Sequence, residues 1–129
     1  MPDRSTVPTE KPVHWVGSSK RDLLTFPKQV VSDMGYALGL AQLGGKPPEA
    51  KPWKGQGSGV FELVERYEGD AYRAVYTVRF ETAIYVLHAF QKKSPKGIRT
   101  DQRDVDLVAQ RLRLAQEDYE RSYGKRRVR

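Results

Sequence analysis

Cations and aromatic rings that could bind RNA are concentrated near residue 90. Tyr85, His88 and Phe90 lead into a basic run. The cations of this run are Lys92, Lys93, Lys96 and Arg99. Cationic side chains bind phosphates and aromatic rings stack on bases, so the combination is typical of a site for single-stranded RNA. A solvated lysine face that only confers solubility is the alternative.

His88 is the residue of this run best suited to acid–base chemistry, because histidine side chains titrate close to neutral pH. Alternation along a strand over 83–91 places His88 on one face with Ile84, Val86 and Phe90. Both faces of that strand are largely apolar, so alternation does not show which one is the core. A hydrogen-bonded structural histidine therefore stays open beside a catalytic one.

Arg73 has a defined place in the preceding strand, predicted over 72–80, where it lies on the face opposite Tyr76. One role is a cross-strand ion pair with Glu62 or Glu65. The other is a guanidinium that holds a phosphate, for which arginine has the best geometry. The residue pattern leaves both roles open.

A short loop over 51–55 places Trp53 between two lysines, one of which is Lys54. The tryptophan is either part of a nucleotide clamp or a lid that folds back on the core, and we favour the lid.

Composition supports a single domain with an anionic partner. The chain has 129 residues, 38% of them hydrophobic, which is enough for one core. Lys and Arg number 23 against 16 Asp and Glu, and the net charge is +7. The segment 91–129 holds 12 of these cations and 6 of the acids, so most of the surplus lies there. Nucleic acid and acidic proteins are both suitable partners for such a surplus.

The sequence disfavours disulfide-linked, metal-binding, membrane-spanning and secreted proteins. Cysteine is absent, which excludes disulfides and cysteine-ligated zinc, and only two histidines are present. We therefore expect no metal and no cofactor. The chain lacks a run of about 20 apolar residues, as a membrane span would need. The first 12 residues do not resemble a signal peptide, so we expect a cytoplasmic protein.

The predicted elements give an α+β fold in the order β-α-α-β-β-β-α. They are a strand over 13–16, helices over 19–26 and 28–43 separated at Pro27, strands over 60–67, 72–80 and 83–91, and a helix over 100–123. Thr100 or Asp101 is the expected cap of the last helix. The three long strands form an antiparallel sheet with two helices packed on it. We expect a flexible lead over 1–12, one domain over 13–123 and a basic tail over 124–129.

Four motifs in order resemble the phage-derived, HigB-like branch of the RelE/ParE toxin superfamily. They are Lys51-Pro52-Trp53-Lys54-Gly55, Gly59-Val60-Phe61-Glu62-Leu63, Tyr72-Arg73-Ala74-Val75-Tyr76 and Tyr85-Val86-Leu87-His88-Ala89-Phe90-Gln91-Lys92-Lys93-Ser94. That branch shows a K-P-L-K-G loop, an E-L strand, a Y-R-V-x-Y strand and an L-H-x-F-x-K-K strand, followed by a long helix. The resemblance covers about residues 13–120 and implies a small sheet with two helices on one side and a C-terminal helix.

The resemblance also implies a toxin of a type II toxin–antitoxin system that cuts messenger RNA, commonly on the ribosome. It implies as partners the ribosome, mRNA and an antitoxin, DNA-binding and encoded nearby, that covers the active face. The catalytic positions carried over are Arg73, His88, Lys92 and Lys93, with Lys54, Arg66 and Tyr76 as neighbours. Together with the residue pattern, this gives Tyr76 as a further catalytic candidate and the RNA-binding candidates Trp53, Lys54, Arg66, Phe90, Lys96 and Arg99. The chain departs from its relatives at Val64, where they often have arginine, and this puts the role of Arg66 in question.

A metal-free mechanism would use the 2′-hydroxyl of the RNA as nucleophile. Arg73 and Lys93 would stabilise the phosphorane, His88 would be acid or base, and Lys92 or Tyr76 would be its counterpart. Phe90 or Trp53 would stack a base. The alternatives are a ParE-like toxin that inhibits DNA gyrase without cutting RNA, a phage-derived nucleic-acid-binding module without catalysis, and a scaffold protein.

Overall fold

Five strands in the order β1-β5-β4-β3-β2 form one mixed sheet. A computed structural model describes residues 10–92 and 100–124. The elements are β1 (Val13–Trp15), α1 (Ser19–Leu23), α2 (Lys28–Gln42), β2 (Ala50–Pro52), β3 (Val60–Tyr67), β4 (Asp70–Thr77), β5 (Ile84–Lys92), α3 (Gln102–Tyr119) and a π-helical turn, Glu120–Gly124. Strand β1 pairs parallel with β5, and the other neighbours are antiparallel. The described residues include no helix long and apolar enough to cross a membrane.

Local sequence signals account for most boundaries. Pro27 precedes α2 with an extended backbone (φ −56°, ψ 148°), so it separates the two helices instead of breaking one. The Asp101 side chain accepts a hydrogen bond from the Arg103 amide at 2.8 Å, which confirms the predicted cap of α3. Glu68 and Gly69 both have positive φ, as a tight hairpin turn between β3 and β4 requires.

The predicted α+β class and element order are confirmed, with one addition. Strand β2 was predicted as loop, because Ala50–Pro52 is short and lies in a segment rich in Gly, Pro and Lys. It pairs with β3 through Ala50 opposite Leu63, and Pro52 is tolerated there because β2 is an edge strand. The first helix is also shorter than predicted and ends at Leu23.

Two apolar layers enclose the sheet. On one face α1 and α2 bury Leu23, Val30, Met34, Leu38, Leu63, Tyr76, Ile84 and Val86. On the other face α3 buries Val60, Val75, Tyr85, Leu87, Val108, Leu112 and Tyr119, together with Trp53. Because both faces of β4 and β5 are covered, these strands are apolar on both sides instead of alternating with polar residues.

A β-bulge in β5 overturns the predicted alternation of that strand. Val75 of β4 lies opposite His88, but the next residue, Tyr76, lies opposite Val86, so Leu87 is an extra residue. The insertion exchanges the two faces from this point onward. The grouping of His88 and Phe90 with Val86 was therefore wrong.

A pair of carboxyl groups links α2 to the sheet on the side away from α3. Burial, a hydrogen bond with Asp33 of α2, and the negative charges of Asp33 and Glu49 raise the pKa of Glu65 to about 7. Ionising Glu65 beside these negative charges costs free energy, so Glu65 keeps its proton up to near neutral pH.

We expect this pair to make stability fall as the pH rises. The pKa of Glu65 is raised on folding, so its proton stabilises the fold fully below about pH 4.5, and that contribution is lost as the pH rises through about 7. Glu65→Gln should therefore raise the free energy of unfolding at about pH 8, by about 1 kcal/mol or less because the groups are partly solvated, and change it little at about pH 5. Urea denaturation at both pH values measures this. Glu117→Gln, an exposed change on α3, is the matched control, and an equal effect of both variants would contradict the prediction.

Candidate functional site

Strand pairing arranges the polar side chains of β3, β4 and β5 in three rows on the face that α3 partly covers. The rows are Glu62–Val75–His88, Val64–Arg73–Phe90 and Arg66–Ala71–Lys92. We call Glu62, Arg66, Arg73, Phe90 and Lys92 the basic face. Glu62 and Arg66 come from β3, Arg73 from β4, and Phe90 and Lys92 from the end of β5.

Arg73 forms an ion pair with Glu62 at the centre of the basic face. Arg73 Nη1 donates to Glu62 Oε1 at 2.9 Å, and the two side chains are only 15% and 16% exposed. The predicted cross-strand pair therefore exists, with Glu62 and not with Glu65, which lies on the other face. Arg73 Nε is buried without a hydrogen-bond partner among the described residues. A guanidinium with an unused buried donor has capacity for a further acceptor.

Lys92 lies in the electrostatic field of this pair. Burial lowers the pKa of Lys92, and the positive charges of Arg73 and Arg66 lower it further, while Glu62 acts in the opposite direction. Arg73 and Lys92 are thus partly buried beside the Glu62 carboxylate, and the exposed Arg66 adds a third positive charge nearby. An anion placed there would relieve their mutual repulsion, so the arrangement favours a ligand such as phosphate.

His88 is a support of this surface. It is 6% exposed, its Nε2 lies 2.8 Å from Asp104 Oδ1 in the first turn of α3, and its ring stacks on Phe90 with centroids 4.6 Å apart. His88 Nδ1 is buried without a partner in the described part of the chain. The hydrogen-bonded structural role that was left open therefore fits the geometry, because the ring is almost fully buried between Asp104 and Phe90.

Other predicted site residues lie elsewhere. Tyr76 projects to the α1/α2 face, is 1% exposed, and has its pKa raised to about 12 by burial and by Glu49. Trp53 is 5% exposed in the α3-side core, as the lid interpretation expects, and Lys54 is exposed beside it. Both adjoin the start of β3, about 13 Å along the strand from the Arg73 row. Lys93, Lys96 and Arg99 lie outside the described residues.

The sequence did not predict Asp104 as the partner of His88, and it predicted Glu62 only as an ion-pair partner of Arg73. Asp104 gave a signal only as an acid in the first turn of a helix, which is common for capping reasons. Glu62 was considered as a partner of Arg73 but not as part of the site. Within residues 10–92 and 100–124, no three His, Cys, Asp or Glu side chains are grouped as a metal site would require.

The described residues thus form an α+β fold with a group of partly buried charged side chains on one face of its sheet. The family described as "Phage derived protein Gp49-like (DUF891)" matches residues 21–113, and the chain belongs to this family. The match confirms the assignment to the phage-derived, RelE-like toxins that the ordered motifs indicated.

Comparison with individual proteins adds little to the family assignment. One chain of the toxin–antitoxin complex RelBE2 from Mycobacterium tuberculosis is similar at 20% sequence identity and a TM-score of 0.43, over 67% of this chain and 95% of that chain. No curated protein matches the chain.

We expect His88 and Asp104 to stabilise the fold as a coupled pair. His88→Ala should lower the free energy of unfolding by about 2 kcal/mol or more, and Asp104→Ala by about 1 kcal/mol, because each removes one side of a largely buried hydrogen bond. The double variant should cost about 1 kcal/mol less than the sum of the single variants. Chemical denaturation of the four proteins measures this coupling. Additive effects would show that the 2.8 Å contact contributes nothing to stability.

Proposed function

We propose that the chain is the toxin of a type II toxin–antitoxin system and an endoribonuclease that cuts messenger RNA, with the basic face as its active site. The observation that carries the proposal is the partly buried group of Arg73, Lys92 and Glu62 on one face of the sheet. Family membership supports the toxin class, and the chemistry of these three side chains supports phosphodiester cleavage.

Arg73 and Lys92 are the proposed phosphate-binding pair. Strands fix both residues, and both side chains are partly buried, which makes them more effective than fully solvated cations in stabilising a phosphorane. The RNA phosphate competes with Glu62 for the Arg73 guanidinium. Phe90, opposite Arg73 and held by its stacking on His88, is the proposed platform for a neighbouring base.

Proton transfer is assigned to Glu62 and Lys92. Glu62 accepts the proton of the 2′-hydroxyl, whose oxygen attacks the phosphorus, and the bond from phosphorus to the 5′-oxygen breaks. Lys92, whose pKa is lowered by burial and by Arg73, gives a proton to the leaving 5′-oxygen more readily than an ordinary lysine. The products are a 2′,3′-cyclic phosphate and a 5′-hydroxyl. His88 positions Phe90 in this scheme and transfers no proton.

The proposed protein partner is an acidic antitoxin. A net charge of +7 and a basic face both favour an acidic segment that folds across the site. Such a segment would compete with RNA for Arg73 and Lys92. The ribosome is the proposed place of cleavage, because a translated message presents its codons as single strands.

Loss of the cationic pair should abolish toxicity. After tightly controlled induction, we expect growth arrest and new mRNA 5′ ends inside translated frames. Arg73→Ala/Lys92→Ala should lower cleavage by about 1,000-fold or more, since it removes two groups that stabilise the transition state. Lys20→Ala/Arg21→Ala, which changes the same net charge at two exposed positions of α1, is the matched control and should remain toxic.

The other outcomes separate the rival functions. Growth arrest without new mRNA 5′ ends would overturn the proposed nuclease activity and point to a gyrase-type toxin. Absence of arrest with retained RNA binding would leave a binding module. Equal loss in both double variants would show that bulk charge and not the basic face is responsible.

The proposed nucleophile can be tested separately. A message with one 2′-deoxyribose at a mapped cleavage position, bound to translating ribosomes, should resist cutting at that position by about 1,000-fold or more, because the attacking group is missing. Cleavage elsewhere on the same message is the internal control. Undiminished cutting at the deoxy position would exclude attack by the 2′-hydroxyl.

A further inference from the structure

The orientation of the basic face depends on the bulge in β5. Ile84 and Val86 project to the α1/α2 layer, and strict alternation would send His88, Phe90 and Lys92 to the same side. The extra residue Leu87 exchanges the faces. Phe90 and Lys92 therefore reach the side of Arg73 only because the bulge is present, since a slip of one residue turns every later side chain over.

Arg111 of α3 forms a side-chain hydrogen bond with the main chain of the bulge. Its Nη1 donates to the carbonyl oxygen of Leu87, the inserted residue, at 3.0 Å. Its Nη2 donates to Ser18 Oγ at 3.2 Å. Burial lowers the pKa of Arg111, while the charge of Asp22 acts in the opposite direction. Partial burial of a guanidinium costs free energy, and the hydrogen bonds to Leu87 and Ser18 offset part of that cost.

The loop before α1 is shaped to receive this guanidinium. Gly17 has φ +57°, and a Cβ at that position would lie 2.9 Å from Arg111 Cζ. Ser18 Oγ donates to Asp22 Oδ2 at 2.7 Å, which connects the arginine to a carboxylate. Gly17 thus leaves room for the Arg111 guanidinium, and the hydrogen bonds through Ser18 to Asp22 hold it against β5.

We propose that Arg111 is a positioning residue for the basic face, which fixes the β5 bulge and thereby places Phe90 and Lys92 beside Arg73. The inference extends the proposed function, because it assigns to α3 a role in assembling that active site. It concerns a contact between α3 and the main chain, and Arg111 itself touches neither RNA nor the reacting atoms.

Arg111→Met tests the inference with NMR and with cleavage. In the parent protein, cross-strand NOEs should join Val75 to His88 and Tyr76 to Val86, and the Lys92 ammonium should titrate at a lower pH than that of an ordinary lysine. In Arg111→Met, we expect weaker Val75–His88 contacts, a Lys92 titration nearer that of an ordinary lysine, and cleavage lowered by about 100-fold, the scale of a misplacement of 1 Å. Arg113→Met, on the exposed side of the same helix, is the matched control and should change none of the three.

Every outcome bears on the positioning role. Unchanged NOEs and Lys92 titration in a folded Arg111→Met would overturn it, even if cleavage fell. If that variant does not fold, Arg111→Lys, which keeps the charge but not the planar pair of donors, is read by the same two spectra. The spectra need no RNA, so a parent protein without nuclease activity would refute the proposed function and leave the positioning claim to be decided by NMR.

Discussion

One inserted residue in β5 determines how this molecule divides its side chains between two layers. Before Leu87 the strand serves the α1/α2 core with Ile84 and Val86, and after it the strand turns Phe90 and Lys92 toward the α3 side. A regular strand would have kept one assignment throughout, so it could not have filled the first core and also completed the basic face. Bulges next to functional sites are common for this reason, because they redirect side chains without moving the strand.

The basic face is a compromise between charge and burial. Burial and the positive charges of Arg73 and the exposed Arg66 lower the pKa of Lys92. Glu62 offsets part of the cost through its 2.9 Å contact with Arg73. Val64, which lies opposite Arg73 across the strands, adds no further charge at that position. Arg66 lies on the same face two residues later and is exposed, so its charge costs little burial.

Patterns with a local physical cause could be predicted from the sequence, and those with a tertiary cause could not. The helix boundary at Pro27, the cap at Asp101 and the hairpin at Gly69 each depend on neighbouring residues and were found. The bulge depends on how β4 pairs with β5 and on Arg111, 24 residues away from Leu87, so alternation assigned His88 to the wrong face. Strand β2 was not predicted because three residues, one of them a proline, are too few to show an alternating pattern. Tyr76 fits the chemistry by type, but it lies on the α1/α2 side of the sheet, opposite to Arg73.

Helix α3 both packs on the core and contacts the residues that support the basic face. Its apolar stripe, Val108, Leu112, Ala115 and Tyr119, supplies the core. Its polar flank makes two contacts that reach the site indirectly, Asp104 with His88 and Arg111 with the Leu87 carbonyl. These two residues are seven apart, two helical turns, so they lie on the same side of α3 and straddle the bulge. Any motion that lifts this side of α3 from the sheet would therefore loosen the support of Phe90 and the path of β5 together, which makes the position of the helix part of the site itself.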